Sequence, residues 1–117
     1  MEGKRYGFSA KYRLKGEKRI NELFRIGKRN AWGFLKFRYL PGERGYIRVV
    51  VSISKRVGNS PERNRLKRLI REALRLSACL ERKSHDCGIY VTTPPAQKPT
   101  LAEVQGYVGQ FIASLPR

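Results

Sequence analysis

The side chains best equipped for chemistry in this sequence are cations, concentrated in Ser54-Lys55-Arg56-Val57-Gly58-Asn59-Ser60-Pro61-Glu62-Arg63-Asn64-Arg65-Leu66-Lys67-Arg68-Leu69-Ile70-Arg71-Glu72. Arg63 and Arg65 are planar donor forks that match phosphate oxygens, and Asn64 places an amide between them. Asn64, Arg68, Arg71 and Arg75 are spaced by four, three and four residues, so they share one helical face, flanked by Arg65 and Lys67. Leu66, Leu69, Ile70, Ala73 and Leu74 form the opposite, apolar stripe. Like charges about 5–6 Å apart on a helix repel one another unless a polyanion lies along them. Lys55 and Arg56 precede a turn in which Gly58 and Asn59 let the backbone come close to a phosphate. The free N–H groups of the following helix start also favour an anion.

Chemistry beyond binding is poorly supplied. The nine acids, Glu2, Glu17, Glu22, Glu43, Glu62, Glu72, Glu81, Asp86 and Glu103, are scattered singly, with no D-x-D or D-x-E unit to hold a metal or work as an acid–base pair. Cys79, His85 and Cys87 would give three zinc ligands, but at a spacing that fits no standard site and with the fourth absent. The two cysteines read better as reduced, buried small residues. No G-x-S-x-G, P-loop or G-x-G-x-x-G occurs. The polypeptide alone is expected to have no catalytic residue, bind no metal and catalyse nothing.

These cations need a rigid body to present them. The chain has 117 residues, 40% of them hydrophobic, and a net charge of +17, which suits one globular domain over residues 1–117, with residues 1–12 loosely ordered and a field that favours nucleic acid or an anionic membrane surface. Only Lys98 and Arg117 of the 26 Lys and Arg lie beyond residue 83, so the charge is segregated. Helical spacing of Ile20, Leu23 and Phe24 predicts a helix from Glu17 to about Ile26, with Gly27 as its stop. Trp32–Leu40 and Tyr46–Ser54 read as strands joined by Pro41-Gly42-Glu43-Arg44-Gly45, hence as an antiparallel hairpin. Ile47, Val49, Val51 and Ile53 share one face of the second strand; Arg48, Ser52 and Ser54 lie on the other, which is polar enough to be a binding surface. Ser60 caps the basic helix, Pro61 suits its first turn, and the helix runs to about Leu80. Asp86–Thr93 reads as a strand parallel to Tyr46–Ser54. Thr100–Glu103 reads as a capping box opening an amphipathic closing helix.

The expected fold is α+β: a small sandwich with a mostly antiparallel sheet of about four strands, helices packed on it, in the order α-β-β-(β)-α-β-α. No apolar run spans a bilayer and no signal-peptide core follows Met1, so a cytoplasmic protein without membrane contact is expected. Neither a helix-turn-helix nor a dimer seam is visible, which argues against DNA and for a monomer. A structural, ribosomal-type RNA-binding protein remains the alternative reading of the basic helix.

The string Ser54–Asn59 followed by Arg63–Glu72 resembles the protein component of bacterial ribonuclease P. Arg13-Leu14, the Ile20–Phe24 helix with Gly27, and Asp86–Val91 also match, so the resemblance covers most of residues 10–95; the closing helix agrees in character. It implies a left-handed βαβ crossover, an exception to a strong rule. It also implies that RNA carries the catalytic centre and holds the Mg²⁺, with one protein copy per ribonuclease P RNA. Lys55, Arg56, Asn59, Arg63, Asn64, Arg65, Lys67, Arg68 and Arg71 would dock on that RNA. A cleft of Arg13, Ile20, Phe24, Phe37, Arg48, Ser52 and Ser54 would receive the 5′ leader of precursor tRNA. Ile20 stands where many members have phenylalanine, and either Phe37 or Tyr39 would supply the strand aromatic.

Overall fold

Helix α1, Glu17–Ile26, forms where Ile20, Leu23 and Phe24 recur, and buries Leu23 completely. It stops at Gly27, whose N–H donates to the Leu23 carbonyl at 2.8 Å and where a Cβ would run into that same oxygen. The computed structural model describes residues 10–77, 80 and 83–116. The expectations for residues 1–9 and for Cys79 lie outside them. Strand β1, Lys28–Trp32, turns through Gly33 at φ +58° into β2, Leu35–Pro41, as an antiparallel hairpin. Next come β3, Ile47–Ile53, helix α2, Ser60–Arg75, strand β4, His85–Val91, and helix α3, Leu101–Ser114.

The sheet order is β1-β2-β4-β3, with β2–β4 antiparallel and β3–β4 parallel. The parallel pairing is the expected one, but the hairpin between Trp32–Leu40 and Tyr46–Ser54 does not exist, because β4 lies between them. Its physical cause is burial. Six of the seven β4 residues are buried, the pattern of a central strand, whereas β3 carries half-buried Arg48 and exposed Ser52 toward an edge. The loop after Pro41 therefore steps across two strand spacings, about 10 Å. Ser84 secures it: the Gly42 N–H donates to the Ser84 carbonyl at 3.0 Å, the Ser84 hydroxyl donates to the Gly42 carbonyl at 2.8 Å, and the Gly45 N–H donates to that hydroxyl at 3.0 Å. On the outer edge of β3, the Leu14 N–H donates to the Val49 carbonyl at 2.9 Å.

Register divides the side chains between two layers. Leu35, Phe37, Ile47, Val49, Cys87 and Ile89 face α2 and α3 and form the core with Leu66, Ile70, Val104 and Phe111. Arg38, Arg48, Asp86, Gly88 and Tyr90 face α1 on the other side. The apolar stripe of α2 is buried as expected, yet two details of the helix differ. Its cap is Asn59 rather than Ser60: the Asn59 side chain accepts from the Glu62 N–H and the Glu62 carboxylate accepts from the Asn59 N–H, both at 2.9 Å. Glu62 lies three residues after Asn59, so only that choice closes the reciprocal pair. The helix ends at Arg75 instead of Leu80, since the chain must turn back for Leu80 to bury itself and accept from the Ile47 N–H at 2.8 Å. In α3, Thr100 accepts from the Glu103 N–H at 3.2 Å, but the Glu103 carboxylate takes the Tyr107 hydroxyl at 3.1 Å.

Asp86, 2% exposed, joins these layers. Arg48 donates from Nε to Oδ1 and from Nη2 to Oδ2, both at 2.9 Å, while Arg19 Nε donates to Oδ2 at 2.7 Å. Arg19 also donates to Glu22 at 2.8 Å and to the Pro41 carbonyl at 2.9 Å. Burial alone would raise the Asp86 carboxyl, but the hydrogen bonds from Arg48 and Arg19 outweigh it and hold the group below its ordinary value. Burial, helped by Lys83, pushes neighbouring His85 below the ordinary histidine value, and its Nδ1 has no hydrogen-bond partner. Both shifts act in one direction. Below about pH 6.5 the unfolded chain binds a proton at His85 that the fold resists, and below about pH 4 the same holds at Asp86. The melting temperature should therefore fall in two stages on acidification, and replacing His85 with Phe should abolish the upper stage in a pH-resolved thermal melt. Asp86→Ala should cost about 2–4 kcal/mol in urea unfolding, short of a fully buried pair because Arg19 and Arg48 retain some solvent.

Candidate nucleic-acid interface

The turn before α2 is built to project cations. Ser54 accepts from the Arg56 N–H at 3.2 Å, closing a short 3-10 turn over Lys55–Val57, and the Asn59–Glu62 pair then starts the helix. From this frame Lys55, Arg56, Asn64 and Arg68 are exposed, with Lys67 and Arg71 half-buried. Among the described residues, none of Lys55, Arg56, Lys67, Arg68 and Arg71 has a side-chain hydrogen-bond or ion-pair partner. Arg63 and Arg65 are more occupied. Arg63 folds back to the Gly58 carbonyl and the Ser60 hydroxyl, each at 3.1 Å, and Arg65 reaches the Pro99 carbonyl at 3.0 Å. These acceptors are neutral, so both charges persist while the donor forks are partly committed to bracing. Arg75 leaves the expected row, since it is paired with Glu72 one turn back. Its charge is compensated; those of Arg68 and Arg71 are not.

A second surface lies across the sheet. Ile20 and Phe24, half-buried on α1, border it, and Phe24 meets Tyr90 edge-to-face at 5.4 Å between centroids. Gly88 lets the helix settle this closely: a Cβ there would stand 2.9 Å from Phe24 Cζ. Exposed Ser52 is in register with Tyr90, Ser54 lies at the end of the same strand, and Arg48 closes the far end through its bonds to Asp86. Arg13 is exposed at the outer edge, bridged to Val49.

Phe37 is not part of this surface. It is fully buried on the opposite face, stacked on Phe111 at 4.2 Å with the rings 16° apart. Tyr39 shares that face, edge-to-face with Phe111 and His85. The aromatic run Trp32–Tyr39 left the phase of β2 open, and the odd-numbered residues point into the core. Tyr90 is the strand aromatic that lies beside Phe24. Its signal was in the sequence, since Asp86, Gly88 and Tyr90 are the alternate positions of the late strand, but using it required the register with β3.

Among the described residues no reacting group is assembled beside either surface. Burial pushes the Cys87 thiol well above its ordinary range. Among the described residues no group of three or more His, Cys, Asp or Glu could hold a metal ion, and no helix is long and apolar enough to cross a membrane. The fold and surface thus define a basic α+β domain with an uncompensated cationic ridge on α2 and an aromatic groove by α1.

A family model described as Ribonuclease P matches residues 8–115, and the chain belongs to the ribonuclease P protein family. A ribonuclease P protein component from an Exiguobacterium species is 42% identical over 65 residues, 56% of this chain and 57% of that one. The match thus spans little more than half that relative's length. One from Clostridium beijerinckii is 34% identical over 101 residues, 80% of each chain, and one from Alkaliphilus metalliredigens is 29% identical over 103 residues, 88% of this chain and 92% of that one. Among solved structures, the RNase P protein from Thermotoga maritima superposes with a TM-score of 0.76 at 18% identity, covering 90% of this chain and 98% of that one. The Staphylococcus aureus RNase P protein gives 0.71 at 23% identity, covering 88% and 95%. These likenesses identify the fold.

The occupied and unoccupied arginines should separate in experiment. Combined Arg68→Ala and Arg71→Ala should weaken binding to a folded bacterial ribonuclease P RNA and flatten the log–log salt slope by about 0.7–0.9 per lost phosphate contact. Arg65→Ala should lower the melting temperature more than those two changes do, through loss of the Pro99 tie. Filter binding across a salt series, beside thermal melts, measures both.

Proposed function

We propose that this chain is the protein subunit of ribonuclease P, holding the catalytic RNA with α2 and the 5′ leader of precursor tRNA in the groove beside α1. The observation that carries this reading is the pairing of an uncompensated cationic ridge on α2, in one layer, with an aromatic-lined groove by α1 in the opposite layer. A protein that only clamps structural RNA needs the ridge but has no use for an open aromatic groove.

Each part has a physical role. Lys55, Arg56, Lys67, Arg68 and Arg71 would neutralise phosphates of the large RNA and release its counterions. Asn59, Arg63, Asn64 and Arg65 would shape and brace the start of that ridge. In the groove, Phe24 and Tyr90 offer ring faces on which bases of any sequence stack, contributing about 1–3 kcal/mol per base. Tolerance of sequence suits leaders that differ from one precursor to the next. Arg13 and Arg48 would meet the leader's phosphates at the groove margins.

Hydrolysis of one phosphodiester, giving a 5′-phosphate on the mature tRNA, would then take place on the RNA. In this reading the Mg²⁺ is held by the RNA, and the protein's part is to bind and orient. Its cations would lower the Mg²⁺ concentration at which the RNA folds and works. One protein copy per RNA, working in the bacterial cytoplasm, completes the proposal.

Reconstitution with a bacterial ribonuclease P RNA at limiting Mg²⁺ should stimulate cleavage of precursor tRNA; absence of stimulation removes the proposal. Within that assay Phe24→Ala should weaken precursor about tenfold relative to mature tRNA, the loss of about one stacked base. Equal weakening of the two would dismiss the leader groove.

A further inference from the structure

The start of α2 and the segment that joins β4 to α3, residues 92–100, leave a groove of about 600 Å³ between them. That volume is within the ~300–1,000 Å³ of small-ligand sites. Its walls are largely apolar. Val57, Pro61 and buried Leu66 come from the helix side, Pro95 and buried Pro99 from the segment. Proline rings fix the backbone φ, so the second wall is set before anything binds. Arg65 Nη2 donates to the Pro99 carbonyl at 3.0 Å, which holds the guanidinium plane at the edge of the groove. The Glu62 carboxylate, fixed by the Asn59 N–H at 2.9 Å, lines the same space. Gln97 and Lys98 are exposed on the rim, and neither has a side-chain partner among the described residues.

Two charges decide what fits. Only Lys98 and Arg117 of the 26 Lys and Arg lie beyond residue 83, and the fold brings Lys98 back beside Arg65, at the start of the α2 ridge. The rim is therefore cationic and continuous with the surface that meets RNA. The interior is not, because Glu62 places a carboxylate there, which repels a phosphate or an acidic peptide but accepts from an amino group. We propose that the groove takes one unstacked adenine or cytosine of the RNA lying along α2, with the base against Arg65 and the proline wall, its edge at Gln97 and Glu62, and its phosphate beside Lys98. Unpaired RNA bases splay out of their stacks and settle on guanidinium planes. A glutamine amide matches the donor and acceptor of adenine, and a carboxylate accepts from the amino group of cytosine. The inference rests on the reading of α2 as the element that docks on the catalytic RNA. It adds recognition of a base to a surface that otherwise offers phosphate contacts.

The test uses the full chain bound to a folded bacterial ribonuclease P RNA, without substrate. Gln97→Ala should weaken binding about tenfold and leave the log–log salt slope unchanged, since a base contact releases no counterion. Lys98→Gln should weaken binding and flatten the slope by about 0.7–0.9, the loss of one phosphate contact. Both side chains are exposed, so the melting temperatures of the free variants should match that of the parent. Dimethyl sulfate, which methylates N1 of unpaired adenine and N3 of unpaired cytosine, reads the base directly. The parent protein should shield one such base, and Gln97→Ala should expose it again while the other protections persist. Unchanged affinity of Gln97→Ala overturns the proposal, and so does the absence of any base that regains reactivity. A loss seen only once precursor tRNA is added overturns it too, by assigning the groove to the substrate. So does displacement of the RNA by millimolar adenosine or cytidine monophosphate with a footprint that Gln97→Ala leaves intact, which would make this a site for free nucleotides. Cleavage at limiting Mg²⁺ keeps the two readings apart. If the parent stimulates it and Gln97→Ala is indistinguishable in binding and footprint, the subunit role stands and the base site falls; if the parent fails to stimulate, the role itself falls.

Discussion

The carboxylate of Asp86 is the constraint on which both layers depend. It sits on the central strand β4 and receives three hydrogen bonds, two from Arg48 on the neighbouring strand and one from Arg19 on α1. In a protein with only nine acids and 26 Lys and Arg, one acid is spent where it fixes a helix to a sheet. Neither arginine could be half-buried beside the other without it. The orientation of α1, and with it the place of Phe24 over Gly88 and against Tyr90, follows from this fixed point.

The same economy explains the cationic surfaces. Carboxylates that pair with cations do so at particular positions: Asp86 between Arg19 and Arg48, Glu22 with Arg19, Glu72 with Arg75. Glu62 is used by the backbone at the α2 cap. Among the described residues no acid is supplied along Arg68, Arg71, Lys36, Arg38 and Arg29. The fold tolerates that repulsion because the buried stripe of α2 and the continuous core under β2 and β4 provide the cohesion.

Much of this was legible in the sequence, and the portion that was not has a common cause. The α2 face could be read because helical periodicity is local: Leu66, Ile70, Ala73 and Leu74 define their side of the cylinder without knowledge of any partner. The parallel relation of β3 and β4 also followed, since a helix lies between them. Strand order did not, because pairing between β2 and β4 joins residues about fifty positions apart and adjacency in sequence favours the wrong hairpin. The phase of β2 failed for a related reason. Trp32, Phe34, Phe37 and Tyr39 put aromatics on both alternating sets, and only the partner strand decides that Phe37 points at Phe111 while Lys36 and Arg38 point away. Asp86 drew notice as a strand start rather than as an anchor, because a single acid has no pattern.

The central place of β4 carries a consequence for how the molecule comes into being. A ribosome delivers β1, β2, β3 and α2 before the strand that must lie between β2 and β3. Until residues 85–91 emerge, the nascent hairpin and the solitary third strand have no common ladder, and the Asp86 anchor does not exist. Sheet closure is thus a late, non-local event with a high entropic threshold. The basic helix segment leaves the exit tunnel ahead of β4, so a nascent chain would be exposed to cellular polyanions before its scaffold has set.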